Sequence, residues 1–395
     1  MKKHILFIVE NNSVPGDVRV WAEARSALEF GYDVTVICPS SRGKIFEYEQ
    51  IEGISIYRHW RPVQGNGKLS LIVEYLNAFI WEILLSLWAF FKKPFHCIHA
   101  ANPPDHIFMI ALPYKVVGVK YIFDHHDICP ENYIAKFSRT DLFYKMLRVM
   151  EFLTFKTADI VISTNESYRK IAKARGGKKS EDVFVVRNGP DLSNLIFMKS
   201  NARLKSGFEY LVAYVGVIGN QEGLENLLKA IEYIVYQKHI RNIKFVVIGK
   251  GPHRDHIIHM AEEMNLTNFI QFTGFIPYRD LYEFLATADL CVNPEFKNSF
   301  TDQSTMIKLM DYMVFGKPIV QFQTTEGMVT AGDAALNIGD NDIISFAEGI
   351  LKLLNDPKAR EKMGDLGKQR IFEELHWGIQ KLNLRKAYQY LENSG

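Results

Sequence analysis

Cysteine is scarce, and the metal and redox signatures that depend on it are missing. The chain has four cysteines in 395 residues, Cys38, Cys97, Cys129 and Cys291, with no CxxC and no His/Cys group at zinc spacing. Three of them lie in or at the end of apolar strand-like runs such as VTVIC and DLCVNP, so they read as buried thiols of a reducing cytoplasm. An excess of charge of one sign is also lacking. Lys and Arg number 47 against 45 Asp and Glu, a net +2, which excludes a nucleic-acid binder working through a broad basic field. The first apolar run, ILFIV, is too short for a signal h-region and reads as a strand. The loop after it, ENNSVPGDVRV, has no GxGxxG, so the dinucleotide fingerprint is absent where a dehydrogenase would carry it.

What is present points to a large α/β protein. The hydrophobic share of 47% with 23% charge is that of a globular chain able to bury sizeable cores, and the length suggests two domains. Strand-like runs at 5–9, 33–38, 54–57, 97–100, 121–124 and 160–163 alternate with helical stretches, the pattern of a doubly wound sheet. The stretch RNGPDLSNLIFMKSNARLKSG has turn residues and no period, as expected of a linker. A second series follows, with strands at 210–215, 244–248, 270–272, 290–292 and 318–320.

Two stretches of the first half invite a membrane reading. Residues 69–91 have the length of a transmembrane helix, but Glu74, Asn77 and Glu82 argue against spanning. The expectation is a sheet-covering helix, or one in monotopic contact with a membrane. Residues 134–156 read as one basic amphipathic helix, with Lys136, Arg139, Lys145, Arg148 and Lys156 among Phe137, Leu142, Phe143, Met146 and Leu147. That pattern suits either an anionic membrane surface or a solvated face over a core.

Chemistry concentrates after the strands. From Asn293 to Val320 the chain reads NPEFKNSFTDQSTMIKLMDYMVFGKPIV. Ser304 or Asp302 is expected to cap a helix that buries Ile307, Met310, Met313 and Val314 and ends at Gly316 and Pro318. Its first turn, with the Ser304 and Thr305 hydroxyls, suits an anionic oxygen cluster. Lys308 and Asp311 are neighbours on its surface, placed for a phosphate and for ribose hydroxyls, or simply as an intrahelical ion pair. The loop Gly216-Val217-Ile218-Gly219-Asn220-Gln221-Glu222-Gly223 joins a strand to a helix and suits a diphosphate, or is a tight turn. In the first half, Asp124-His125-His126-Asp127 crowds titratable groups at a strand end, with Asn102 to Asp105 lining the same edge. Adjacent residues point apart, which argues against a metal there and for a hydrogen-bonding acceptor pocket.

GDVRVWAEARSALEFGYDVTVICP, HAANPPD, FDHHDICPEN, ADIVISTNES, VVRNGP, YVGVIGNQEGLENLLKAI, VVIGKGP, FTGFIP and STMIKLMDYMVFGKPIV together resemble the retaining GT-B glycosyltransferases of family 4. The resemblance runs over nearly the whole chain. It implies an α/β GT-B fold of two Rossmann-like doubly wound domains facing across a cleft. Residues 1–188 would bind the acceptor, 189–208 link, 209–372 bind a nucleotide sugar, and 373–395 form a helix packing back on the first domain. For the nucleotide-sugar donor it implies Gly216, Gly219, Asn220, Arg187, Asn188, Phe275, Ile276, Ser304, Thr305, Lys308 and Asp311. For the acceptor it implies Asp17, Arg19, Asn102, Asp105, His125, His126 and Glu131. His126 and Asp127 would orient the acceptor hydroxyl and Lys308 would serve the leaving diphosphate. No cofactor or metal is expected, since the nucleotide sugar is a substrate.

Two departures stand out. The family's Arg after the glycine at 216 is Val217, and its Lys before the glycine at 223 is Glu222. Each lost cation removes several kcal/mol of attraction at contact distance and an effective ε of ~20. The paired glutamates eight residues apart become Gln303 and Asp311. The expected activity is transfer, with retention, from a UDP-sugar to a polyprenyl-diphosphate-linked saccharide in bacterial surface-polysaccharide synthesis. The expected location is cytoplasmic, peripheral on the inner face of the plasma membrane through 69–91 and 134–156. The alternatives are a catalytically inactive nucleotide-sugar-binding partner and a nucleotide-sugar epimerase on the same fold.

Overall fold

The computed structural model describes residues 2–41, 43–61 and 68–393, without the side chains of 68–72 and 194. The Leu69 to Ile72 side chains at the start of the apolar run therefore lie outside the described residues. The chain forms two compact units, Met1–Asn188 with Gly378–Gly395, and Gly189–Trp377.

The first unit is built on eight strands: β1 His4–Val9, β2 Asp33–Pro39, β3 Phe46–Ile51, β4 Ile54–His59, β5 Cys97–Ala101, β6 Lys120–His125, β7 Ile160–Ser163 and β8 Val183–Val185. Their order is β3-β4-β2-β1-β5-β6-β7-β8. All pair in parallel except β3 with β4. β1 and β5 are buried throughout, as strands covered on both faces must be. β3 escapes the sequence pattern because its residues are alternately exposed and half-buried, the signature of an edge strand. A two-residue turn, Glu52-Gly53, closes its hairpin with Ile51 opposite Ile54, both turn residues at positive φ.

The second unit has six parallel strands: β9 Tyr210–Val215, β10 Ile243–Ile248, β11 Ile270–Gly274, β12 Leu290–Asn293, β13 Ile319–Phe322 and β14 Ala335–Ile338, in the order β11-β10-β9-β12-β13-β14. Alternate residues feed two apolar layers. Val212, Tyr214, Phe245 and Val247 face one, and Leu211, Ala213, Val246 and Ile248 the other. The strand order reverses between β9 and β12 here, and between β1 and β5 in the first unit. Such reversals open a crevice at the strands' carboxyl ends.

Residues 189–208, expected as a linker, belong to the second unit. Leu192, Leu195 and Leu204 pack on its core, and Asn201 donates to Thr287 Oγ1 and Glu283 Oε1, each at 2.9 Å. Sparse, well-spaced leucines give no period, so the docking was invisible in sequence. From Gly378 on, the chain belongs to the first unit, where the Tyr388 hydroxyl lies 2.9 Å from His99 Nδ1.

The run at 69–91 lies in one helix, Lys68–Lys92, that covers β2 and β4. Its polarity is inverted. Glu74, Glu82 and Ser86 are buried with Ala78 and Ala89, while Val73, Leu76, Ile80, Leu84, Trp88 and Phe91 are exposed. By length and composition this helix is apolar enough to cross a membrane, yet its acidic face is the one against the sheet. The basic stretch at 134–156 is two helices, not one: Cys129–Phe137 ends at Ser138 in the left-handed region, and Leu142–Thr157 starts anew with Asp141 capping it.

Candidate functional site

In the first unit the group at the carboxyl ends of β1 and β6 is organised by Arg19. Asp17 caps the Val18–Glu29 helix, its carboxylate accepting from Val20 N at 3.0 Å, and so seats Arg19 in the first turn. The guanidinium meets Asp124 at 2.9 and 3.3 Å, Glu23 at 3.0 Å, Val186 O at 2.8 Å and Asn188 Oδ1 at 3.0 Å. Glu23, Asp124 and His126 have cation-site spacing, and Arg19 is the cation. Burial alone would raise Asp124, but Arg19 and then His126 hold its carboxyl well below the usual range. Asp17 and Arg19, expected on the acceptor, are thus a cap and a buried ion-pair centre.

The two adjacent histidines part company. His125 is buried among Phe123, Phe155 and Tyr168, and burial lowers it to about 3. It is a core residue and not the acceptor contact expected, because strand alternation turns it away from Arg19 and onto Phe155 and Tyr168 of the Leu142–Thr157 and Glu166–Ala174 helices. His126 is partly open, with its ring on Asp124. Asn102 Oδ1 accepts from His126 N at 2.7 Å and Asp127 N at 3.0 Å, and its amide donates to Asp105 at 2.8 Å. Asn102 therefore holds the turn after β6 to the turn after β5. Burial, then Glu151, pushes Asp105 up to about 7. Asp127 accepts from Asn132 at 2.8 Å. Glu131 is bound by Arg175, with one contact of 3.1 Å. Arg187 and Asn188, expected with the nucleotide sugar, belong to the first unit, where Arg187 N donates to Gln380 at 3.1 Å.

In the second unit three loops meet backbone to backbone at the β9/β12 reversal. A Cβ on Gly249 would lie 1.8 Å from Gly216 O, and one on Gly251 2.3 Å from Ile218 O. Gly223, at φ +70°, would place one 2.1 Å from Pro294 O. Only glycine lets these turns close together and leave a backbone-lined surface. Gly219 has no such crowding.

Beneath this surface Lys308 is the buried cation. Its Nζ is 2.6 Å from Glu222 Oε2, 3.3 Å from the Tyr214 hydroxyl, and in contact with Glu295. Burial would lower the ammonium, but Glu295, Tyr214 and Glu222 hold it well above its ordinary value. Burial pushes Glu295 up to about 7 against the pull of Lys308. The glutamate that replaces a family lysine is thus a partner of Lys308, and the intrahelical Lys308–Asp311 pair does not form. Asp311 is half-buried and pushed up to about 7 by burial.

The helix differs from expectation at its start. It spans Ile307–Val314 with Met306 at the cap and no side-chain cap bond. Ser304 Oγ donates to Phe300 O at 2.8 Å, and Asp302 accepts from Thr325 N at 2.7 Å. Ile307 is exposed, whereas Leu309, Met310, Tyr312, Met313 and Val314 are buried. Three-residue spacing alone did not reveal that the cap lies at Met306, two residues beyond Ser304 and four beyond Asp302. Thr305 precedes it, and Phe275 is exposed beneath Lys250 Nζ, 5.2 Å from its ring centre, while Ile276 packs on the core. Tyr214 and Glu295 lie within the stretches YVGVIGNQEG and NPEFKNSF, but only the tertiary structure brings them to Lys308.

Comparison with known proteins agrees with this architecture. The profile described as Glycosyl transferases group 1 matches residues 198–370, and that of Glycosyltransferase Family 4 matches 17–194. Two uncharacterized glycosyltransferases of Methanocaldococcus jannaschii are each 23% identical. MJ1607 aligns over 374 residues, 90% of this chain and 88% of that protein, and MJ1069 over 246 residues, 61% of each. This chain thus spans under two thirds of MJ1069. Among solved structures, sucrose-phosphate synthase of Thermosynechococcus elongatus superposes with TM-score 0.80 at 16% identity over 100% of both chains. Anabaena HepE in complex with UDP-glucose gives 0.71 at 13% over 99% of both.

Proposed function

The chain belongs to the GT-B glycosyltransferases, and from that premise we propose that it transfers a sugar, with retention, from a UDP-sugar to a polyprenyl-diphosphate-linked saccharide in bacterial surface-polysaccharide synthesis. The observation that carries this reading is the glycine-lined surface at the β9/β12 reversal with Lys308 beneath it. Unhindered backbone there suits the close approach of a diphosphate. HepE, solved in complex with UDP-glucose, has the same fold. Asp311 would take ribose hydroxyls, and the backbone at Phe275 and Ile276 would frame the base. No metal is proposed for the diphosphate site; its cation is Lys308, shared with Glu222 and Glu295.

In this mechanism the anomeric C–O bond to the diphosphate breaks as the acceptor oxygen bonds to the same face of that carbon. The acceptor proton passes to the departing phosphate oxygen. Stabilising that oxygen is the main catalytic task. His126 and Asp127, held by Asp124 and Asn102, orient the acceptor hydroxyl. The test is titration with UDP- and GDP-sugars followed by transfer to lipid-linked saccharides. UDP-sugar binding with transfer is expected. Binding without transfer would point to an inactive partner, and an isomerised sugar from the nucleotide sugar alone to an epimerase.

The proposal of a lipid-linked acceptor is supported by the apolar surface of the first unit. The helices Lys68–Lys92, Phe108–Val116 and Leu142–Thr157 pack in that sequence. They expose Leu84, Trp88 and Phe91, then Met109, Leu112 and Val116, then Leu142, Met146 and Val149. Lys136, Arg139 and Lys145 are exposed as well. Such a surface suits an anionic membrane at the cytoplasmic face. The protein is expected to sediment with anionic liposomes at low salt. Lys136→Glu with Lys145→Glu should weaken this at least ~30-fold, at about 1 kcal/mol or more per charge. Wild type left in the supernatant would remove the membrane from the reading.

A further inference from the structure

The first unit holds a second buried acidic group, whose Glu10 and Glu82 carboxyls have no Lys or Arg partner among the described residues. Glu10 follows β1, His106 lies in the turn after β5, and Glu82 comes from the middle of the Lys68–Lys92 helix. These are the two loops of the first unit's strand-order reversal and the helix above them. One ligand atom from each lies within 4.8 Å of the others, and His106 Nε2 is 3.7 Å from Glu10 Oε2. Glu10 is 3% exposed and Glu82 0%. Both oxygens of each carboxyl, and His106 Nε2, lack a hydrogen-bond partner among the described residues. The neighbouring cation, Arg61, is engaged by Glu74 at 2.6 Å and by Asn11 O at 2.8 Å.

Five unpartnered polar atoms aimed at one another in a core are costly unless protons or an ion satisfy them. We propose that Glu10, Glu82 and His106 form a binding site for one divalent cation of the zinc or manganese class, completed by water. One imidazole nitrogen and carboxylate oxygens are the ligand set those ions accept, whereas calcium calls for six or more oxygens. Burial, with Glu82 and Glu74 adding, pushes Glu10 up to about 10. Burial pushes Glu82 up to about 8 and lowers His106 to about 4. The imidazole is therefore neutral and ready to ligate, while binding displaces the carboxyl protons to solvent. Phe79 and Tyr75 flank the His106 ring edge-on at 5.3 and 6.0 Å. The His106 side chain is 15% exposed, so the ion reaches the site from that side. The bound ion would tie the outer helix to the ends of β1 and β5.

Glu225, His253 and His256 of the second unit also have ligand spacing, at a partly exposed position, so the test uses a His256→Ala background. Chelator-stripped protein is titrated with zinc chloride and manganese chloride alone. Metal content is counted after gel filtration, and melting is followed with and without metal. One ion per chain and a metal-dependent rise in Tm are expected. Glu82→Gln, which keeps the side-chain shape, and His106→Gln should each weaken binding at least ~10-fold and abolish that rise. Protein that retains no ion, or a Glu82→Gln variant that retains it as tightly as its parent, would overturn the proposal. Should Glu82→Gln fail to fold, His106→Gln gives the same comparison at a less buried position.

Discussion

Replacing Lys308 by methionine is expected to cut the turnover of sugar transfer by about 10²- to 10³-fold, the loss typical when one preorganised group facing a developing anion is removed. Methionine keeps much of the apolar stem, so the change isolates the ammonium. The same substitution strips Glu222 and Glu295 of their cation. Glu295, already pushed up to about 7, would then stay protonated at neutral pH, which limits the damage to folding. Steady-state kinetics beside thermal melts check this. A fall in kcat with a small change in Tm is expected, and activity within a few-fold of wild type would remove Lys308 from the diphosphate. Glu222→Gln separates the parts further. It removes a negative charge next to the bound phosphates, so KM for the nucleotide sugar should drop while Lys308 keeps Glu295 as a partner.

Arg19→Met is expected to destabilise the first unit by about 3–5 kcal/mol at neutral pH, because it leaves Asp124 and Glu23 buried without their cation. Lysine should not rescue it, since one ammonium cannot reproduce a fork that reaches Asp124 twice, Val186 O and Asn188. The effect should depend on pH with a definite sign. In wild type the depressed Asp124 contributes stability above its unfolded pKa, lost only as pH falls through the folded value. In the variant Asp124 has no guanidinium and burial raises it, so its contribution is lost as pH rises. The gap between variant and wild type therefore widens from pH 5 to pH 7.5. Denaturant titrations at the two pH values measure it, and a gap that stays constant or narrows would show that Arg19 does not hold the carboxylate.

Much of the architecture was legible because it is written in local periods. Buried parallel strands appear as continuous apolar runs, as in β1, β2, β9 and β10, and the glycines at 216 and 223 announce turns wherever they fall. What failed is also local in cause. β3 leaves no strand signature because an edge strand with polar alternate residues looks like a loop. The two basic helices look like one in sequence because the break falls at Ser138, at positive φ, with no glycine or proline to mark it. Strand alternation says that Asp124 and His125 point apart, but not which of the two faces the crevice, so the burial of His125 is decided by the packing of the helices on the sheet.

Two series of strands and helices, the glycine turns, and the residue types available at each strand end follow from the order of residues along the chain. Which of them meet is set by the packed fold. Lys308 finds Glu222 86 positions away, and Arg19 finds Asp124 105 positions away. Glu10 and His106 converge because β1 and β5 are neighbours at the reversal, with Glu82 closing over them. Strand order sets these meetings, and it is chosen by the packing of whole helices on whole sheets. Pairing energies at the strand ends follow from that choice, so no spacing in the chain encodes them.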